Sequence, residues 1–252
     1  MKLFFLGGGN SARIILEEMG ENIEKAYVFD INREQIEKLK NDFNNVEFCD
    51  IEKLNDLDVE YVIEVASVEA LKAYGLKILD MNKNLIILST GAFADENFRN
   101  NFVKKLNNTD SKVYVVSGAV GGLDVINTIY DKINKVILTT RKPPKSLGLD
   151  IDEEKIIFEG NSIEAINRFP KNVNVAVTLS IATREFEKVN VKIIADPKVE
   201  RNIHTIEINS KVGNYRFEFE NFPSKNPKTS YLAPLSIVGL LKNLNTNFRI
   251  GG

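Results

Sequence analysis

The chain has 252 residues, of which 27% are charged and 43% are hydrophobic, and its formal net charge is −2. These values are typical of a globular protein and exclude a disordered chain, a strongly basic nucleic-acid-binding surface and a membrane span. One cysteine and one histidine exclude an intramolecular disulfide and a Cys/His zinc site, and no metal site is expected. The absence of a disulfide makes the cytoplasm the expected location, and we find no targeting signal and expect no nucleic-acid or membrane partner.

The N-terminal stretch predicts a strand, a tight turn and a helix. Lys2–Leu6 is a short apolar run, and the turn Gly7-Gly8-Gly9-Asn10-Ser11-Ala12 separates it from a segment with helical spacing of apolar residues. Gly7, Gly9 and Ala12 fit the G-x-G-x-x-(G/A) fingerprint, in which small residues allow the turn, the approach of a pyrophosphate and helix packing. The whole turn, including Asn10 and Ser11, is therefore a candidate dinucleotide site.

Asp30 ends the predicted second strand, about 20 residues beyond the glycines, where an acid binds the adenosine ribose hydroxyls. An acid at this position repels a ribose phosphate, so NAD is favoured over NADP. Arg33 can soften that preference by offering a cation to the phosphate of NADP. The alternative is that Asp30 only caps the helix that begins near Asn32.

The rest of the first half alternates strands and helices. Tyr61–Ala66 is a nearly continuous apolar run, typical of a strand buried on both faces of a parallel sheet. Ser67 is placed to cap the next helix, and in a doubly wound sheet the Ala66-Ser67 turn faces the cofactor crevice. About six alternations predict a Rossmann domain over residues 1–117.

The second half has a different pattern of predicted elements. Ser117–Asp124 is another glycine-dense turn, Lys135–Thr140 predicts a strand, and Arg141-Lys142-Pro143-Pro144 stops it. Strands dominate after that, so residues 118–225 are predicted to form an α+β domain on a mixed or antiparallel sheet with helices on one face. Residues 226–252 contain a final helix that is expected to pack back on the first domain. The predicted fold class is α/β.

Segments throughout the chain resemble the motifs of the L-aspartate dehydrogenase family. In order, they are Gly7–Ala12, Ser117–Asp124, Thr140–Pro144, Phe158–Gly160, Phe169–Ala176, Asp196-Pro197, Asn202–His204 and Asn226–Ser230. The resemblance implies oxidation of L-aspartate to iminoaspartate with NAD or NADP, which supplies the precursor for quinolinate and NAD synthesis. The first turn departs from the family pattern, which more usually reads Gly-Cys-Gly-Ala-Ile-Gly.

The resemblance also assigns site residues. It implies that His204 is the active-site histidine and that Ala119 and Asn174 contact the cofactor, and Asn202 belongs to the same motif as His204. A neutral imidazole can take a proton from the substrate ammonium or activate the water that hydrolyses an imine. The alternative for His204 is a strand residue with a satisfied hydrogen bond.

A dicarboxylate substrate also requires cations and neutral donors. The candidate cations are Arg141, Lys142, Lys171 and Lys228, and each has the alternative of a solvated surface charge. Thr229 and Ser230 are candidate neutral donors. Asn172 and Asn174 are placed to orient the nicotinamide amide or a substrate oxygen.

Two other functions are compatible with this fold. One is reduction of a different imino or oxo acid by NAD(P)H, as in dihydrodipicolinate reductases and homoserine dehydrogenases, because similar folds carry different chemistry. The other is a non-catalytic nucleotide-sensing module. The expected assembly is a homodimer formed through the sheet of the second domain.

Overall fold

The computed structural model describes residues 1–169, 174–224 and 230–249. The chain divides into two compact units, and the first comprises Met1–Val116 together with Ala233–Phe248. The second comprises Ser117–Leu232 together with the C-terminal segment that begins at Arg249. The predicted boundary at residue 117 lies one residue beyond the observed end of the first segment. The C-terminal helix is part of the first unit.

The first unit is built on a six-stranded parallel sheet with the order β3-β2-β1-β4-β5-β6. Its strands are β1 (Lys2–Leu6), β2 (Lys25–Phe29), β3 (Val46–Phe48), β4 (Tyr61–Glu64), β5 (Leu85–Ile87) and β6 (Val113–Val115). Its helices are α1 (Asn10–Met19), α2 (Arg33–Asp42), α3 (Val68–Asp80), α4 (Glu96–Leu106) and, from the end of the chain, α8 (Leu232–Leu244).

The centre of this sheet is buried on both faces. Leu3, Phe4 and Phe5 of β1 are fully buried, which explains why the strand has no polar alternation. The strand order reverses between β1 and β4, and the turns after these two strands therefore lie side by side at the carboxyl edge. Open α/β sheets bind their ligands at this switch point.

Helix α8 contributes to the core of the first unit although it comes last in the chain. Ile237, Val238 and Leu241 are buried in the same cluster as Leu3 and Ile15. These three residues fall at helical spacing, so one face of α8 is apolar.

The second unit is built on a mixed five-stranded sheet with the order β11-β10-β7-β9-β8. Its strands are β7 (Ile133–Lys142), β8 (Lys155–Asn161), β9 (Val189–Ala195), β10 (Ile203–Ser210) and β11 (Asn214–Glu220), and its helices are α5 (Leu123–Ile129), α6 (Ser162–Arg168) and α7 (Asn174–Thr183). Only the β7–β9 pair is parallel among these neighbours. The predicted α/β class, with a Rossmann domain and a second domain on a mixed sheet, is confirmed.

One face of this second sheet is covered by helices. Leu138 of β7 and Ile206 of β10 are paired across the strands and share a buried cluster with Ala176 and Leu179 of α7. In the same register His204 lies opposite Thr140. Because side chains alternate along a strand, His204 and Thr140 lie on the helix-covered face.

Among the described residues, no helix is both long enough and apolar enough to cross a membrane. Within the same residues, no group of three or more histidine, cysteine or acidic side chains is placed to hold a metal ion.

Candidate active site

The glycine turn after β1 has a geometry that small residues alone permit. Gly7 has a φ of +109°, and a Cβ atom placed there would lie 2.8 Å from the backbone of Ala66. Gly9 is different, since a Cβ atom added to it would meet nothing within 4 Å. Ala12, the third residue of α1, is fully buried. Gly7 and Ala12 therefore serve packing, whereas Gly9 leaves open space beside the start of α1, which fits the approach of a pyrophosphate.

Asn10 and Ser11 form the first residues of α1, and both are half-buried. They follow Gly9, which has no side chain with which to cap the helix. Their location at the helix N-terminus is the one that favours an anion.

Asp30 directly follows β2 and is hydrogen-bonded to the glycine turn after β1. Its Oδ2 accepts a hydrogen bond of 2.7 Å from Gly8 N, and its Oδ1 accepts one of 2.8 Å from Asn32 N. The N-cap of α2 is Asn32, whose side chain accepts from Glu34 N at 3.1 Å. The alternative that Asp30 caps this helix is therefore wrong.

Arg33 stacks on an aromatic ring near this carboxylate. Its guanidinium carbon lies 3.5 Å from the centroid of the Phe48 ring. A stacked guanidinium keeps its hydrogen-bond donors in the plane of the fork and its charge close to the ring. Arg33 therefore remains a candidate contact for the extra phosphate of NADP.

The turn after β4 completes the carboxyl edge of the first sheet. Ser67 caps α3, and its Oγ accepts from Ala70 N at 3.1 Å. Ala66 is exposed, and its N–H donates to Glu64 Oε1 at 3.0 Å. The predicted residues Gly7, Gly9 and Ala66 thus come together at one edge of the sheet.

In the second unit, His204 belongs to a compact polar cluster. Its Nδ1 lies 3.0 Å from Thr140 Oγ1, and both Thr140 and Lys142 are buried. Thr140 and Lys142 are two residues apart on β7 and share the face that carries His204. The cluster therefore combines an imidazole, a hydroxyl and an amine on the helix-covered face.

The surroundings keep the imidazole neutral. Burial, together with the charge of Lys142, lowers the pKa of His204 to about 4. Burial also lowers the pKa of Lys142. When Nδ1 donates its hydrogen to Thr140 Oγ1, Nε2 presents an unprotonated lone pair at neutral pH.

Arg141 is placed differently from Lys142, although the two are neighbours in sequence. It lies on the opposite face of β7, where Nη1 is 2.9 Å from Asp196 Oδ2 and also pairs with Glu154. These carboxylates raise the pKa of Arg141, and the hydrogen bond that Arg141 donates to Glu154 contributes most. A guanidinium engaged by two carboxylates is a poor candidate for a substrate carboxylate, so we keep Lys142 and not Arg141 as the candidate cation.

The other predicted site residues of the second half lie in different segments of the chain. Ala119 O accepts a hydrogen bond of 2.6 Å from Asn221 Nδ2. Asn202 is half-buried just before β10, and Asn174 is exposed at the first residue of α7. The predicted residues Lys171, Asn172, Lys228 and Thr229 lie outside the described residues.

The sequence analysis assigned no role to two residues that lie in these sites. Glu64 is fully buried at the end of β4, and burial raises its pKa to about 7. The only indication of Glu64 in the sequence is that it is a single acidic residue within an apolar run. Thr140 has no local signal, because only the β7–β10 register brings it to His204.

Comparison with known proteins gives consistent matches in both halves. Residues 8–116 match the family model described as the NAD-binding domain of homoserine dehydrogenase. Residues 124–244 match the model described as the C-terminal domain of aspartate dehydrogenase.

Individual relatives match over the full length. An L-aspartate dehydrogenase of Thermotoga maritima is 44% identical, with 100% of both chains covered. One of Methanospirillum hungatei is 37% identical, with 100% of this chain and 99% of the relative covered.

Solved structures agree with these sequence matches. The crystal structure of aspartate dehydrogenase from Thermotoga maritima has a TM-score of 0.85 at 40% identity and covers 100% of this chain and 99% of that one. A dihydrodipicolinate reductase from Paenisporosarcina, at 10% identity and a TM-score of 0.54 over 96% of this chain and 95% of its own, shows the fold alone.

Proposed function

The chain belongs to the L-aspartate dehydrogenase family, and we propose that it catalyses the NAD(P)-dependent oxidation of L-aspartate to iminoaspartate. The observation that carries this proposal is the cluster of His204, Thr140 and Lys142. It provides a neutral base next to a basic nitrogen, and an amino dicarboxylate has an ammonium proton to lose and carboxylates to hold. Hydrolysis of iminoaspartate then gives oxaloacetate and ammonia.

His204 acts on the substrate ammonium in this proposal. Its Nε2 takes a proton from the ammonium group, and the resulting amine lone pair forms the C=N bond as the hydrogen on Cα leaves as hydride, for which NAD(P) would be the acceptor. General acid–base assistance of this kind contributes about 10²–10⁴ in rate. Thr140 holds the ring through Nδ1, so that Nε2 is the atom presented to substrate.

Lys142 is the proposed partner of a substrate carboxylate. A buried ammonium interacts with a carboxylate more strongly than an exposed one, because water screens the pair less. Lys228 and Thr229 remain proposed substrate contacts, as do Asn172 for a substrate oxygen and Asn202 as a catalytic neighbour of His204.

The proposed cofactor site consists of Gly7, Gly9, Asn10, Ser11, Ala12, Asp30, Ala66 and Ser67, with Ala119 and Asn174 from the second domain. The eight first-domain positions fit a dinucleotide because Gly9 leaves open space at a helix N-terminus and Asp30 directly follows β2. When bound, the nicotinamide supplies the hydride acceptor. NAD is the expected cofactor, with NADP as an alternative.

The activity is tested by measuring NAD(P)H formation with purified protein on L-aspartate, D-aspartate, L-glutamate and L-alanine, each with NAD and with NADP. The proposal predicts turnover with L-aspartate alone. Turnover on another acid would support the alternative reductase. Cofactor binding without turnover on any of them would support the nucleotide-sensing module.

We propose in addition that the protein is a cytoplasmic homodimer that supplies the precursor for NAD synthesis. The second sheet has a face opposite its helices, and a depression of about 360 Å³ on that face is lined by residues that include Ile137, Glu207 and Arg216. This face is the proposed dimer contact. Light scattering after gel filtration should give twice the chain mass of 28.4 kDa, and a monomer would contradict the assembly.

Replacing Asp30 with alanine should weaken NAD binding more than NADP binding. The change removes an acceptor for the ribose hydroxyls, which costs about 1–3 kcal/mol, or roughly 5–150-fold in affinity. It also removes a negative charge that opposes the phosphate of NADP. Dissociation constants for NADH and NADPH, measured by fluorescence, give the ratio. Equal losses for the two cofactors would mean that Asp30 only supports the Gly8 backbone.

Replacing Thr140 with valine should lower kcat by about 2–10-fold, the effect of one lost hydrogen bond. Valine keeps the shape of threonine and cannot bond to Nδ1, so the imidazole is less firmly held. The KM for NAD should not change. Thr140→Ser restores the hydroxyl and should recover most of the rate, and a valine variant with the wild-type kcat would remove Thr140 from the account.

A further inference from the structure

Glu64 is an ionisable side chain with no role in the proposed proton transfer. It is the last residue of β4, and its side chain is fully buried among the apolar residues of the strand. Within the part of the chain that the structure describes, no lysine or arginine lies within ion-pair distance of it. A buried carboxyl group without a cation is costly, so it persists only where several hydrogen bonds stabilise it.

The hydrogen bonds of Glu64 connect two turns at the carboxyl edge of the first sheet. Oε1 accepts from Ala66 N at 3.0 Å, in the turn after β4. Oε2 accepts from Ser89 N at 2.9 Å, two residues after the end of β5. The two carboxylate oxygens thus bridge backbone groups that lie 23 residues apart in sequence.

The glycine turn after β1 contacts the turn after β4. Gly7 approaches the backbone of Ala66 so closely that no side chain fits between them. The position of Ala66 therefore fixes the position of the glycine turn, and Glu64 fixes Ala66. The carboxylate is suited to this task because it offers two acceptors and no donor, whereas an amide offers one acceptor and a competing donor.

We propose that Glu64 is a positioning residue for the dinucleotide, which it affects by holding Ala66 and Ser89 in the geometry that the cofactor requires. This inference rests on the proposed cofactor site at the same edge of the sheet. Glu64 touches neither substrate nor reacting atoms in this account. Its effect reaches the cofactor through the backbone of the turns.

The test compares Glu64→Gln with the wild-type protein for NADH affinity, kcat and the KM of each substrate. We expect the dissociation constant for NADH and the KM for NAD to rise about tenfold or more, the effect of a lost hydrogen bond to a charged group. The KM for L-aspartate and kcat at saturating NAD should stay within about twofold of wild type.

Leu85→Ala is the control for a purely structural role. Leu85 is fully buried at the amino end of β5, away from the turns, so its truncation lowers stability without altering them. The proposal is overturned if Glu64→Gln keeps wild-type NADH affinity. It is also overturned if Leu85→Ala, at a similar loss of unfolding stability, weakens NADH binding equally.

A second variant keeps the inference testable if Glu64→Gln does not fold. Glu64→Asp keeps the charge but is one methylene shorter and cannot reach both N–H groups in the same positions. We expect weaker NADH binding with kcat preserved, and wild-type affinity would overturn the proposal. If wild-type protein itself fails to bind NADH, the proposed cofactor site fails first, and that result is distinct from a failure of Glu64 alone.

Discussion

Alanine at position 204 should reduce kcat for L-aspartate oxidation by about two to four orders of magnitude, the usual contribution of a positioned general base. His204 holds the only imidazole in the chain, and the surroundings keep it neutral at pH 7. The dissociation constant for NADH should stay near the wild-type value, since the dinucleotide residues of the first domain are unchanged. Steady-state kinetics and fluorescence titration measure the two quantities separately.

A matched control is available on the same strand. Ile208 lies four residues further along β10 on the same face, within the buried cluster. Ile208→Val should cost about 0.5–1.5 kcal/mol of stability and leave kcat intact. A His204→Ala variant with the wild-type rate would contradict the proposed role, and a loss of NADH binding in that variant would point to misfolding.

The protonation state of His204 can be observed directly, because a tag-free protein gives one imidazole signal in an NMR titration. The signal should titrate near pH 4. Lys142→Met removes the neighbouring charge, so the pKa should rise, although burial should still hold it below 6.5.

The lowered pKa also makes stability depend on pH. The unfolded chain binds a proton at His204 below about pH 6.5, and the folded protein does so only below about pH 4. Between these values the unfolded state binds more protons, so this group lowers stability as the pH falls through that range. An imidazole that titrates at 6.5 in the folded protein would contradict both statements.

The second large effect is expected at the glycine turn. Gly7→Ala should destabilise the protein by about 1–3 kcal/mol or more, because the backbone at φ +109° is strained for any residue with a Cβ. The added atom would also lie 2.8 Å from the Ala66 backbone, which must then move. Cofactor affinity and urea stability should therefore both fall.

Gly9→Ala is the matched comparison. Its Cβ would meet nothing within 4 Å, and Gly9 has an ordinary φ of −80°, so stability should change by no more than about 1 kcal/mol. The methyl group would instead occupy the space assigned to the pyrophosphate, and NADH affinity should fall by about tenfold or more. Unchanged affinity in this variant would mean that the phosphates bind elsewhere.

Local patterns in the sequence were sufficient to predict the main features of the first domain. The glycine turn, the acid after β2 and the cap at Ser67 are each defined by residues close together in sequence, and the structure has them where the patterns predict. The same local patterns left open whether Asp30 binds the ribose or only caps α2. The hydrogen bond from Glu34 N to the Asn32 side chain shows that Asn32 is the cap of α2.

Contacts between distant residues were not predictable in this way. The sequence predicts that β7 ends at Thr140, but the strand continues to Lys142, and alternation then separates Arg141 from Lys142 by a whole sheet face. Thr140 and His204 are 64 residues apart, and the register alone brings them together. Glu64 was hidden for the same reason, since its partner Ser89 lies 25 residues further on.

L-Aspartate deuterated at Cα tests the proposed oxidation at that carbon. We expect reduced nicotinamide that carries the deuterium, identified by mass spectrometry, with oxaloacetate and ammonia formed in equal amounts. Reduced cofactor without deuterium, or no reduction with either NAD or NADP, would contradict the proposed oxidation.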